Sequence, residues 1–260
     1  MRMHSKISLL ITAACFAAWP ALAQDLRIDN FIGKAENGKV LYQRYCVGCH
    51  GVHGDGNGEN AQWMDPKPRD FVAATFKCRS TTTGNLPLSE DLFHTLERGI
   101  VNSYMPSWNP LTKQQRADLV AYVETFSPRW KEEPPVAALV IPAETPDTPE
   151  SRQRGKALFQ KVECWKCHGQ LGRGDGPSAS TLTDSKDRPI VPYDFSVGTR
   201  FKCGVTNQDV YRIFMTGVDG TPMPSFADVI KPDEAWDLVH YLRTLQTNYK
   251  RPSATTVAKK

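Results

Sequence analysis

The sequence predicts an all-α protein in which two tandem copies of one unit are joined by a proline-rich linker, and three observations predict it. The first is self-similarity at a fixed offset. Cys46-Val47-Gly48-Cys49-His50 recurs as Cys164-Trp165-Lys166-Cys167-His168, and Met105-Pro106-Ser107-Trp108 as Met223-Pro224-Ser225-Phe226, both 118 residues further on. The second is helical spacing of apolar residues at both ends of each copy, and the third is the lack of any run of alternating residues that would read as a strand. Phe76-Lys77-Cys78 recurs as Phe201-Lys202-Cys203 at an offset of 125, so the second copy gains seven residues before this point and loses seven after it. Fainter echoes pair Gly38-Lys39 with Gly155-Lys156, Gly54-Asp55-Gly56 with Gly174-Asp175-Gly176, and Asp118-Leu119-Val120 with Asp237-Leu238-Val239.

In chain order, residues 1–23 read as a secretory signal: Arg2 and Lys6 precede an apolar run, and Ala21-Leu22-Ala23 supplies an A-x-A cleavage site. Cys15 lies within this segment, with Thr12 where a lipid-attachment signal would want an aliphatic residue. The first unit spans residues 24–128. Asn37 is placed to cap a helix over 38–45, a second helix is expected over 90–98, and Leu119, Val120, Val123 and Phe126 mark a third over 112–126. Residues 129–149 form the linker, in which Pro134, Pro135, Pro142, Pro146 and Pro149 favour extended backbone and forbid a long helix. The second unit spans 150–247, with helices expected over 152–162, 208–216 and 232–245, and residues 248–260 form a basic tail without an apolar face.

Composition bounds the function. Glycine and proline together number 37 of 260 residues, too few for a disordered or collagen-like chain. Removal of the leader leaves 237 residues with 30 basic and 28 acidic side chains, a balance that gives no case for nucleic-acid binding. Beyond the leader the best apolar run is residues 136–141, far short of a bilayer span, so the mature chain is expected in the periplasm without an integral membrane segment, though a membrane-bound partner fits.

C-x-x-C-H is the attachment motif of c-type haem: two thiols add to the two haem vinyl groups and the histidine beside them becomes the proximal iron ligand. The spacing therefore assigns two covalent haems, to Cys46, Cys49 and His50, and to Cys164, Cys167 and His168. A redox dithiol or a zinc site is the competing reading of C-x-x-C. Zinc, however, would need four cysteines lying 118 residues apart in pairs and does not require the histidines. Met105 and Met223 are the candidate distal ligands. Each stands 55 residues after its histidine, precedes a proline and lies in a loop with Gly99 or Gly217. Thioether ligation favours Fe(II), and two strong axial ligands leave no position for substrate, which points to electron transfer with no catalytic residue. Met64 and Met215 have no counterpart in the other copy and read as packing residues, while His53, His94 and His240 read as surface or cofactor-edge residues.

Cys78 and Cys203 share a repeat position and lie outside the haem motifs. In an oxidising compartment they are candidates for an interdomain disulfide; a thiolate ligand to one haem and two separate buried thiols are the alternatives. Lys39, Lys77, Lys156, Lys166 and Lys202 read either as a basic docking rim or as a solvated face.

With these residues in place the chain resembles tandem class I (mitochondrial-type) cytochromes c, specifically the periplasmic diheme form. The resemblance covers residues 33–126 and 151–247. It rests on Cys46, Cys49, His50 and Met105, on Cys164, Cys167, His168 and Met223, and on the segments running into Met105 and Met223. It implies a terminal helix pair crossing near each haem, at Gly38, Tyr42 and Tyr122 and at Gly155, Phe159 and Tyr241. It also implies electron transfer between redox partner proteins, as a soluble carrier or as a subunit of an oxidoreductase complex. The alternative within the resemblance is a diheme oxidoreductase such as a thiosulfate dehydrogenase, with Cys78 or Cys203 as a haem ligand.

Overall fold

The computed structural model describes residues 26–197 and 200–246; the leader and the basic tail lie outside the described residues. Among the described residues the fold is helical but for one short hairpin and two isolated β-bridges, Thr183 with Pro189 and Phe201 with Gly204. Strands β1 (Leu26–Ile28) and β2 (Phe31–Gly33) pair antiparallel in the register Leu26 to Gly33, Arg27 to Ile32 and Ile28 to Phe31. Helices α1 (Ala35–Tyr45), α2 (Val47–His50), α3 (Ser89–Arg98) and α4 (Lys113–Glu124) build the first unit. Helix α5 (Arg129–Glu132) opens the linker, and α6 (Pro149–Lys161), α7 (Trp165–His168), α8 (Asn207–Thr216) and α9 (Pro232–Leu245) build the second. Single 3-10 turns lie at Glu59–Trp63 and Ala179–Thr181.

Each unit is organised by one helix crossing, α1 on α4 and α6 on α9. The crossing is close because a glycine stands on the inner face. A Cβ on Gly38 would lie 1.9 Å from the Asp118 carbonyl oxygen, and one on Gly155 1.9 Å from that of Asp237. The carboxylates of the same two aspartates pull the entering chain onto the helix: Asp118 accepts from the Lys34 backbone N–H at 2.9 Å, and Asp237 binds the Arg154 guanidinium at 2.6 and 2.8 Å. Aromatic rings close each crossing, with Tyr42 on Tyr122 at 5.3 Å and Phe159 on Tyr241 at 5.5 Å between centroids.

Several boundaries differ from the sequence reading. Helix α1 starts three residues before the position expected from Asn37, because Lys34 is the N-cap and the Asn37 side chain turns instead to Asp118 at 3.5 Å. Helix α6 starts at Pro149, inside the expected linker, since Thr148 Oγ1 caps it by accepting from the Ser151 N–H and proline suits the first helical turn. Helix α4 closes at both ends short of the expected span, with a Thr112 and Gln115 capping box at its start. The hairpin escapes the period-2 test because its strands are three residues long; β2 is held against α4, where Gln114 donates to the Ile32 carbonyl at 2.7 Å.

Two apolar cores follow, one per unit, centred on Tyr42, Phe93, Leu119 and Val120 and on Phe159, Tyr211, Trp236 and Val239. The units are joined by more than the linker. Cys78 and Cys203 are disulfide-bonded, with their Cα atoms 5.3 Å apart. Beside the bond Arg79, almost fully buried, donates to the Thr216 and Gly217 carbonyls at 2.5 and 3.3 Å and pairs with Asp219 at 2.8 Å. In the opposite sense Arg200 donates to the Arg98 carbonyl at 3.1 Å. The first unit thus closes the carbonyl end of α8 and the second that of α3. The linker also lies on the protein: the Leu139 N–H donates to Ser80 O at 2.7 Å, and Leu139 and Ile141 pack on the second core.

Candidate cofactor sites

Helix α2 is a single turn following directly on α1, and it places Cys46, Cys49 and His50 in the lining of an open cleft; α7 repeats the turn for Cys164, Cys167 and His168. The first cleft is also lined by Tyr42, Phe71, Leu92, Leu96, Met105 and Val120. Met64 lines it too, so this methionine, read from the sequence as a packing residue, faces the cleft; Met215 is buried in the second core.

Both histidines are held in one orientation by matching contacts. His50 Nδ1 meets the Arg69 carbonyl at 2.9 Å and His168 Nδ1 meets the Tyr193 carbonyl at 3.0 Å. A carbonyl can only accept, so each Nδ1 carries the proton and each Nε2 lone pair is free for a metal. Burial holds both imidazoles below the usual histidine range, which keeps them neutral and ligand-ready. Phe71 stacks on His50 at 4.4 Å and Phe195 on His168 at 4.5 Å between centroids. Sequence reading missed these four second-layer residues, although Pro68-Arg69-Asp70-Phe71 and Pro192-Tyr193-Asp194-Phe195 share a Pro-x-Asp-Phe pattern that marks them.

The loops holding the candidate distal ligands are superimposable in their hydrogen bonds. The Met105 carbonyl accepts from the Ile100 N–H, and the Met223 carbonyl from the Val218 N–H, both at 3.1 Å. Ser103 and Thr221 hydroxyls each accept from the methionine N–H at 3.2 Å. Gly99 and Gly217, at φ of 69° and 72°, let each loop turn back; a Cβ on either would lie 2.7 Å from the following Pro-Ser backbone. The glycine echo needs correction. Gly56 and Gly174, not Gly54 and Gly174, share a role, each donating to the carbonyl of its histidine at 2.9 and 2.8 Å, so the 118-residue offset holds through this loop and the Gly-Asp-Gly match is two residues out of step.

A covalent haem fits these residues. The thiols of Cys46, Cys49, Cys164 and Cys167 are all free, and burial pushes Cys46 and Cys164 up to about 12, the reverse of the acidified thiol of a redox dithiol. The zinc alternative lacks its geometry: among the described residues no group of three or more His, Cys, Asp or Glu side chains comes together to hold a metal. The Cys78 to Cys203 bond leaves neither sulfur as a thiolate ligand while it is intact. His53 is exposed and His94 is half-exposed beside Glu97, whereas His240 is buried, bonded to Ser151 Oγ at 2.5 Å and facing Glu144 at 3.3 Å. Lys39 and Lys156 are exposed and Lys166 pairs with Glu163 at 2.7 Å, but Lys77 and Lys202 turn into the first cleft, so the five do not form one rim.

Two helical units, each built on a C-x-x-C-H turn with an inward methionine loop opposite, define an electron-transfer haem protein with covalently bound haem. The chain belongs to the cytochrome c family, whose model matches it twice, over residues 35–127 and 152–246. It is similar to a solved chain of the Kuenenia stuttgartiensis reducing HAO-like protein complex Kustc0457/Kustc0458, at 42% identity and a TM-score of 0.80, over 82% of this chain and 97% of that one. No curated protein sequence matches the chain. Among the described residues no helix is long and apolar enough to cross a membrane.

Proposed function

We propose that this protein is a periplasmic diheme cytochrome c that passes electrons between redox partner proteins, either as a soluble carrier or as a subunit of an oxidoreductase complex. The observation that carries the reading is the matched pair of ligand frames: His50 with Met105 and His168 with Met223, each residue held by the same backbone partners in both units. His50 and Met105, and His168 and Met223, would hold the haem, which when bound would supply one-electron transfer. The protein's part is to hold the imidazoles through the Arg69 and Tyr193 carbonyls and to exclude water with Phe71 and Phe195. Each methionine loop is fixed by its glycine turn, so little has to reorganise when charge changes.

The layout that goes with this is a leader over 1–23, units over 24–128 and 150–247, a linker over 129–149 and a basic tail over 248–260. Periplasmic placement rests on the leader and on a disulfide that suits an oxidising compartment. The partner class rests on the similar chain, which is part of a complex containing an HAO-like protein. The test is a visible spectrum of the oxidised holoprotein, calibrated per haem, in the far-red region of the iron-to-thioether charge-transfer band. Two haems' worth of intensity is expected, and Met223→Leu is expected to remove half of it. Half intensity in the unaltered protein would mean that one iron has another ligand.

A further inference from the structure

The Cys78 to Cys203 bond has a lysine immediately before each sulfur, and both lysines line the first cleft together with Arg69. Among the described residues none of the three side chains makes an ion pair. The carboxylates whose fields reach Arg69 are engaged elsewhere: Asp70 by Lys186 at 2.7 Å, Asp184 by Arg188 at 2.6 Å and Asp219 by Arg79 at 2.8 Å. Burial, and then the charges of Arg69 and Lys202, hold Lys77 down to about 8. Three cations crowded against an apolar wall, with no carboxylate paired to any of them, are costly unless an anion sits among them.

We infer that Arg69, Lys77 and Lys202 form a carboxylate-binding site that takes the propionate edge of the haem in the first unit, with Lys202 supplied across the interface by the second unit. The inference rests on the diheme reading above, and its consequence is specific to a two-unit chain. The disulfide fixes Lys202 beside the first cleft, so the potential of the first haem depends on a residue of the second domain. A cation there favours the reduced iron, which carries one positive charge fewer.

The test is an optical redox titration of the full-length holoprotein, in which the first haem's wave is the one that Met105→His displaces. Lys202→Met is expected to lower that wave's midpoint by about tenfold in the Fe(II) to Fe(III) ratio, near 59 mV for one electron. Lys202→Arg is expected to restore it, and exposed Lys39→Met to leave it in place. If Lys202→Met does not mature, Lys202→Gln carries the same test. A first wave that coincides in Lys202→Met and Lys39→Met overturns the inference, as does a wild-type potential that moves with added inorganic phosphate, which would mean the cluster takes a free anion. Neither result touches the diheme reading, which fails only if the unaltered protein lacks two haem waves.

Discussion

Ser89 Oγ donates to Glu124 Oε1 at 2.7 Å at the end of α4, and the carboxyl lies deep enough that burial pushes it up to about 7 from its ordinary 4.5. Between those values the unfolded chain has released this proton and the folded chain keeps it. The contribution is therefore fully present below about 4.5 and is lost as the pH rises through about 7. Glu124→Gln is expected to flatten that slope, so denaturation midpoints of variant and parent should diverge as the pH rises from about 5 to about 7; parallel profiles would show that Glu124 is not the titrating group. Single residues are also where the sequence is most and least readable. Thioether attachment needs two thiols and a histidine at fixed spacing, so Cys46, Cys49 and His50 announce themselves. The partners that orient His50 and His168 act through the carbonyls of Arg69 and Tyr193, and a carbonyl is the same for every residue type. Met64 is legible neither way, since its place in the first cleft depends on how the loop after α2 folds back.

At the scale of the element, each unit depends on one helix crossing whose closeness is set by a missing side chain. Gly38→Ala and Gly155→Ala improve intrinsic helix propensity by up to about 1 kcal/mol. Each also drives a methyl to within 1.9 Å of a carbonyl oxygen on the partner helix. Overpacking against backbone dominates, and a net loss of about 1–3 kcal/mol is expected for either variant in guanidinium unfolding of the holoprotein. Unchanged stability would mean that the helices do not meet at that point. The long terminal helices α4 and α9 could be read from the helical spacing of Leu119, Val120 and Val123 and of Trp236, Leu238, Val239 and Leu242. The starts of α1 and α6 could not, because Lys34 and Thr148 are selected by what they meet: the carboxylate of Asp118, and a first turn that a proline can occupy. Hairpin β1–β2 has too few residues to show a period, and its stability comes from α4 beneath it.

For the whole molecule the disulfide is the chief constraint, closing a separation of 125 residues. Chain-entropy arguments give such a loop about 5 kcal/mol, and strain or residual structure lowers the measured figure, so Cys78→Ser with Cys203→Ser is expected to lose about 2–5 kcal/mol. Guanidinium unfolding is the check; a variant as stable as the parent would assign the interface to its non-covalent contacts, those of Arg79, Asp219, Arg200 and Lys186. The pairing was one of three readings open to the sequence, because equivalent residues of a repeat meet only if the units face each other about a twofold-like axis, which no spacing reports. The exchange of Arg79 and Arg200 across that axis has a further consequence, for descent. A duplicated unit ordinarily stays free to be lost, shuffled or replaced by a stranger of the same type. Here each copy carries the piece that finishes a helix of the other, so a gene break within the linker would leave two incomplete halves. The pair is then one heritable object, and lineages that keep one copy are expected to have altered the positions whose side chains cross, Arg79, Arg200 or Asp219.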